Sequence, residues 1–329
     1  VTATIIGVIA GVLRLSNNWI VSRLMTVYVE GFRNVPLLLW IVLIFAVMTE
    51  STPQPRDFRE GGTASMIAFD SVAITNRGVY VPGVAFSNSL AGNAAVEDAL
   101  DGRRDTGFLG NIAQSEGVNW LLIFAVLAVS IYLVRRVRRW ATAEQEASGI
   151  RPKIWYYELG LLVVPTAAVL WFLGAHLVYP ELGGFNFSGG TFLRNSLIAL
   201  WFALSLYTGA FIAENVRGGI LAVSKGQTEA AYALGLRANR TMKLVILPQA
   251  MRVIIPPLIS QYLNLTKNTS LALAVGYMDV RSTLGGITIN QTGRELEGML
   301  LVGLFYLVTS LIISGLMNLY NSKTKLKER

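Results

Sequence analysis

From Phe192 to Ala213 the chain reads FLRNSLIALWFALSLYTGAFIA, 22 residues with no aspartate or glutamate among them. Crossing the hydrocarbon core of a bilayer takes about 20 helical residues, so this run is long enough to span. Further apolar runs lie at Val1 to Leu13, Val35 to Thr49, Val118 to Val134, Leu159 to Tyr179, Leu244 to about Ala274, and Met299 to Tyr320. Composition agrees with this reading. Of 329 residues 53% are hydrophobic and 15% charged, with a mean hydropathy of +0.50, whereas an ordinary soluble domain is roughly one quarter charged. Such a chain is a polytopic membrane protein, neither disordered nor fibrous.

The Val1 run is too short to cross alone and is expected to be the remainder of a helix that starts before residue 1. The Val35 run reaches spanning length only if it extends back through Tyr28, Phe32 and Arg33, with Arg33 snorkelling to the interface. Pro256, Pro257 and Lys267 within the Leu244 run predict a kinked or broken helix. About seven crossings result. No fixed-period repeat and no inverted pair of broken helices is found.

Loop lysines and arginines set the orientation. Arg135, Arg136, Arg138, Arg139, Arg151 and Lys153 mark one cytoplasmic loop; Arg217, Lys225, Arg237, Arg240, Lys243 and Arg252 mark a second; Lys323, Lys325, Lys327 and Arg329 mark a cytoplasmic tail. Alternating from these anchors places Arg14, Arg23 and Arg33 inside and residues 50–117 outside. That outer segment holds five arginines against nine acidic residues and is expected to be a cap with little core of its own.

The net charge of +8 belongs to these loops, so nucleic acid is not an expected partner. With no cysteine and one histidine, thiolate metal sites, cysteine nucleophiles and histidine clusters are excluded. His176 reads as an interface residue near the outer end of the Leu159 run, and Trp19, Trp40, Trp120, Trp155, Trp171 and Tyr179 read as interfacial anchors. Gly7 and Gly11 permit close helix contact with a neighbour the spacing does not identify.

The polar loop from Glu214 to Leu247 carries the most information. Ser224 and Gln227 form the pattern of a capping box, Glu229 falls in the first turn of the short helix this opens, and Gly235 ends it. Ala230, Ala231, Ala233 and Leu234 give that helix a small apolar surface. Two readings stand on the residues alone: a helix lying on lipid headgroups, or one docked in a groove of a soluble cytoplasmic partner.

Glu229-Ala230-Ala231, three residues, Gly235, nine residues, then Val245-Ile246-Leu247-Pro248 resembles the EAA loop of permease subunits of ATP-binding-cassette importers. The resemblance departs at Val245, where the family usually has Ile. Further stretches narrow it to the polar-amino-acid branch, the histidine and glutamine permease type: Tyr28-x-Glu30-x-Phe32-Arg33-x-x-Pro36-Leu37-Leu38, Gly209-Ala210-Phe211-x-x-Glu214-x-x-Arg217-Gly218-Gly219-Ile220, Gly226-Gln227, and Lys267-x-Thr269-Ser270-Leu271. Phe211 stands where Tyr is commoner. Asn76-Arg77-Gly78-Val79-Tyr80-Val81-Pro82 is similar to the insertion of the general L-amino-acid permease subgroup.

This resemblance implies an all-α, polytopic transmembrane helix bundle of the type I ABC importer permease kind in the bacterial inner membrane. Residues 1–49 would be the first transmembrane helices, 50–117 an extracytoplasmic insertion and 118–190 an inserted helix pair with a basic cytoplasmic loop. Residues 191–320 would be the permease core with its EAA loop, and 321–329 a cytoplasmic tail. It implies coupling to a cytoplasmic ATPase dimer through Glu229, Ala230, Ala231, Gly235, Leu247 and Pro248, and pairing with a second homologous permease. An extracytoplasmic solute-binding protein would deliver the L-amino acid.

No cofactor is expected in the chain itself, ATP being used by the partner. A phosphate-binding loop would need Gly-Lys, and that pair is absent from the sequence. An ion-coupled secondary transporter is the alternative, and a membrane-embedded enzyme a more distant one. Against ion coupling, Pro36 to Met48, Val118 to Val134, Leu159 to Tyr179, Phe192 to Ala213 and Met299 to Tyr320 contain no Asp or Glu. For the substrate pathway the candidates are Asn264, Lys267, Asn268, Thr269 and Ser270. The other reading of that stretch is that Lys267 snorkels, or satisfies carbonyls freed by a helix break.

Overall fold

The computed structural model describes residues 1–59, 61–88, 117–150 and 152–324. Much of the expected acidic insertion (60 and 89–116), residue 151, and 325–329 of the expected tail lie outside the described residues.

The main elements are helices α1 (Thr2–Leu13), α2 (Trp19–Asn34), α3 (Leu37–Glu50), α4 (Gly117–Ser148), α5 (Trp155–Phe172), α6 (Asn195–Leu221), α7 (Lys225–Ala233), α8 (Leu247–Asn268) and α9 (Glu295–Thr324). Short strands lie between them, among them β1 (Gly83–Phe86), β2 (Ala175–Val178), β3 (Glu181–Gly183) and β4 (Asn186–Ser188). The fold is the expected helical membrane bundle, to which these strands add two antiparallel pairs, β1 with β2 and β3 with β4.

Among the described residues, five stretches are long and apolar enough to cross a membrane: α4, α5, α6, the run Ala238–Val275 and α9. The α2–α3 pair makes a sixth only if counted as one span, and it bends by 107°. The expected seven is thus an overcount. Extension of the Val35 run through Tyr28 and Arg33 fails because Pro36 forces the residue before it out of the helical region; Val35 is extended, at φ −105° and ψ 134°. The first apolar helix has 12 residues, about 18 Å at the usual rise and short of a bilayer core.

Two further expectations are corrected. The Leu159 run does not stay helical to Tyr179: α5 stops at Phe172, Gly174 takes φ +62°, and Ala175–Val178 turn back as β2. His176 therefore sits on a strand, its Nδ1 3.2 Å from Ser87 Oγ and 3.0 Å from the Gly174 carbonyl oxygen. In the Leu244 run the irregularities fall at the two ends and not at the prolines. A π-helical turn, Met242–Ile246, precedes α8, and the helix tightens to 3₁₀ over Thr269–Val275, while α8 runs unbroken through Pro256 and Pro257.

The chain divides into two compact units. The first comprises Val1–Asp57, Ile74–Val79 and the chain from Leu193 onward, and α6 is its axis. Leu200, Ala203 and Leu204 of α6 pack with Leu37 and Ile41 of α3 and with Ala272 and Val275. Ile212 and Val216 meet Ala3 of α1 and Ala250, Ile254 and Leu258 of α8, and Ala210 and Ala213 meet Ala10 and Val29. Lipid offers no hydrophobic drive for helices to associate, so close backbone approach through small residues and hydrogen bonds must do it. Both are present: Thr2 and Ser205 share a 2.7 Å hydroxyl contact, and Tyr28 donates to the Leu206 carbonyl at 2.7 Å. The start of α2 is fixed by Asn18, whose side chain accepts from the amides of Ile20 and Val21.

In the second unit, Phe58–Ala73 and Tyr80–Phe192, Arg138 of α4 grips Glu158 of α5 with two bonds of 2.8 Å. Ala73, Tyr80 and Phe187 form one small core, and Phe86, Ile123 and Leu173 another.

The neighbour of Gly7 and Gly11 is α6. A Cβ on Gly7 would lie 2.5 Å from Ile212 Cβ and 2.8 Å from the Gly209 carbonyl oxygen, whereas one on Gly31 would meet nothing within 4 Å. Gly7→Val is therefore expected to destabilise the purified protein by about 2 kcal/mol or more. Gly31→Ala should leave Tm essentially unchanged, and thermal unfolding in detergent checks both.

Candidate coupling loop

The helix α7 begins at Ser224, which occupies the N-cap in extended conformation, but no side-chain capping bond forms there. The expected capping box is thus not closed: the Gln227 amide donates to the Ser224 carbonyl at 3.1 Å, and the Gln227 side chain accepts from Gln249 Nε2, also at 3.1 Å. That bond ties α7 to the start of α8. Glu229 lies one turn later than expected, since the helix opens at Lys225 and has no acidic residue in its first turn.

The other end of α7 follows the sequence closely. Gly235 takes φ +74°, its amide donates to Tyr232 O at 2.9 Å, and the Leu236 amide donates to Ala231 O at 3.1 Å. These two bonds are those of a Schellman cap, which needs a left-handed residue and so favours glycine. Ala231 is buried beneath the loop; Glu229, Ala230, Leu247 and Pro248 are exposed. Tyr232 is half-exposed and Leu234 is 82% exposed. Among the described residues Glu229 has no salt-bridge partner. The EAA residues thus form one short, rigidly capped helix held between α6 and α8, with most of its apolar and acidic side chains turned to the outside.

The candidate pathway residues fall on both sides of the transition from α to 3₁₀ helix. Thr269 and Ser270 hydroxyls donate to the carbonyls of Thr266 and Lys267 at 2.7 and 2.8 Å. The Asn264 and Lys267 side chains instead lie on the exposed side of α8, one and two turns beyond Ser260, and find no hydrogen bond or ion pair among the described residues. No group of three His, Cys, Asp or Glu that could hold a metal occurs among the described residues.

A cluster of charges escaped the reading by runs and motifs. Glu30 and Arg33 on α2, Glu214 and Arg217 on α6, and Arg14 after α1 come together in one place. Four of the five lie in stretches already singled out for other reasons. The missing signal was their convergence, which needs α1 and α2 to pack on α6 in the observed register.

Residues 156–326 match the model of the family described as "Binding-protein-dependent transport system inner membrane component". Among curated proteins, the glutamate/glutamine/aspartate/asparagine transport system permease protein BztB of Rhodobacter capsulatus is 57% identical over 327 residues, covering 97% of this chain and 73% of that one. The putative amino-acid ABC transporter permease YhdX of Escherichia coli K12 is 39% identical, with 100% and 75% covered. The general L-amino acid transport system permease AapQ of Rhizobium johnstonii is 40% identical, with 100% and 73% covered. The chain belongs to this family. It is an inner-membrane component of a binding-protein-dependent transport system, a transport subunit that works alongside other proteins.

Since a Cβ at Gly235 would meet nothing within 4 Å, any penalty for replacing it is purely conformational. Gly235→Val should weaken the cap by about 1–2 kcal/mol and raise hydrogen exchange at the 235 and 236 amides roughly tenfold. Gly235→Asn, which tolerates the left-handed region, should stay near the parent rate.

Proposed function

We propose that this chain is the membrane-spanning permease subunit of an ABC importer that carries polar L-amino acids inward across the inner membrane. A separate cytoplasmic ATPase dimer drives it through the Glu229 to Gly235 helix. The observation that carries the reading is the capped α7, with Leu234 and Tyr232 exposed at its end and Glu229 without an ion pair among the described residues. A short amphipathic helix with small residues on its surface fits a groove in another protein. Relatives named as amino-acid permeases support the substrate class.

An extracytoplasmic binding protein delivers the amino acid, and a second permease of the same kind completes the passage. Support for the second permease comes from α8. Ser260, Asn264 and Lys267 share its exposed side at helical spacing, and such side chains at membrane depth are costly against lipid unless they face a cavity or a partner. A pathway lined by one chain from each permease would place Asn264 and Lys267 along it and leave Thr269 and Ser270 to hold the helix end. Loop arginines and lysines orient the assembly with α7 inside, and bilayer lipid surrounds it. An ion-coupled carrier, the alternative from sequence, has no support from the family to which the chain belongs.

These 329 residues contain no cysteine, so Leu234→Cys and Tyr232→Cys each place one reporter thiol on α7. In the assembled transporter both are expected to crosslink to the ATPase; labelling by lipid-borne reagents alone, with no ATPase adduct during turnover, would overturn the coupling role. Lys267→Ala is expected to lower the uptake rate by about tenfold with complex assembly intact. Unaltered rate and substrate range would remove Lys267 from the pathway.

A further inference from the structure

The charge cluster on the first unit has an architecture of its own. Glu214 is its hub. Arg217, one turn along α6, donates to it at 2.6 Å, and Arg14 donates to it from the end of α1. Arg33 stands 3.8 Å from the same carboxylate. Glu30 lies 3.7 Å from Arg14 and 3.9 Å from Arg33, within ionic range but too far for a hydrogen bond. Three arginines therefore compete for one well-placed carboxylate while a second waits beside two of them.

Arg33 is the member left incomplete. Its Nε is buried and finds no hydrogen-bond partner among the described residues, and its guanidinium rests 5.5 Å from the centre of the Phe211 ring. A cation over an aromatic face is a weak resting place compared with a hydrogen-bonded carboxylate. Arg14 by contrast is 9% exposed and depends on Glu214. An arrangement with Arg33 on Glu214 and Arg14 on Glu30 uses the same five groups and needs the distances above to close by about 1 Å, the scale of an ordinary helix shift at an interface. Two pairings within so small a displacement make a bistable contact. Their shared acceptor, Glu214, lies on α6, which runs through three residues into α7.

We propose that Glu214 is the shared acceptor of a charge-exchange switch, in which Arg14 and Arg33 alternate on its carboxylate as α2 shifts against α6. The switch rests on the coupling role proposed for α7, whose displacement it would pass to α1 and α2. Arg33 is a positioning residue in this scheme, touching neither substrate nor nucleotide.

The test uses the assembled transporter in nanodiscs with its ATPase and binding protein. Arg33→Gln leaves the Arg14–Glu214–Arg217 contacts in place, so assembly is expected to persist while amino acid imported per ATP hydrolysed falls by about fivefold or more. Arg33→Lys, which keeps the charge, is expected to restore part of that ratio. Glu214→Gln should lower it further; should that variant fail to assemble because Arg14 is left buried without its main partner, the Arg33 pair still decides. An import-to-ATP ratio in Arg33→Gln within twofold of the parent overturns the switch. The α7 crosslinks separate the two ideas: with crosslinks present and the ratio unchanged, the switch alone falls, and without crosslinks the coupling reading falls first.

Discussion

Close approach to the backbone of α6 is the constraint on which the first unit depends. In lipid, two apolar helices gain nothing by leaving the solvent, so contact has to come from surfaces that fit and from bonds that lipid cannot supply. The α6 helix meets this with small residues distributed around its circumference. Gly209 lies where a Cβ would be 3.0 Å from the Tyr28 hydroxyl, and at Gly219 a Cβ would be 2.3 Å from Ile254. Ala199, Ala203, Ala210 and Ala213 of the same helix are fully buried. Larger side chains at these places would separate α1, α3 and α8 from α6, and with them the hydroxyl contacts of Thr2 and Tyr28.

How much of this was legible follows from which signals are local. The 22-residue run of α6 announces a span because length and polarity alone decide it. Gly235 announces the end of α7 because a left-handed cap depends on one residue, and the observed φ agrees. Where a neighbour decides, the sequence is silent or misleading. Apolar content in the Leu159 run does not distinguish helix from strand once Gly174 reverses the chain and Gly83 to Phe86 offer β2 an edge to pair with. The Ser224 and Gln227 pattern permits a capping box, yet Gln227 meets Gln249, a residue brought near only by the return of the chain into α8. Pro36 is a local signal for the bend after α2, since it drives Val35 out of the helical region whatever the apolar content on either side.

The extent of α6 also changes the meaning of its one acidic residue. A run that ends at Ala213 contains no carboxylate, but the helix continues to Leu221 and carries Glu214 within it. A proton or Na⁺ carrier needs a carboxylate that an incoming cation can occupy. Glu214 already faces three arginines, so an added cation would have to displace a resident one. Its surroundings suit a structural junction rather than an ion site, and the argument against ion coupling survives the correction to the helix boundary.

Mechanical continuity follows from the short connections around α7. Ala222 to Ser224 join it to α6, and the path to α8 runs through the Schellman cap, the turn Ala238–Thr241 and a π-helical turn whose hydrogen bonds continue into Leu247. The Gln227–Gln249 bond closes the same loop from the side. A force applied to α7 has little slack to take up before it reaches α6 and α8 together, and both are packed against α1 through Ala3, Ile212 and Ala250. A rigid small helix with a half-satisfied ionic junction on the helix above it is a combination in which a small displacement at one end selects between arrangements at the other, because packed interfaces resist intermediate positions.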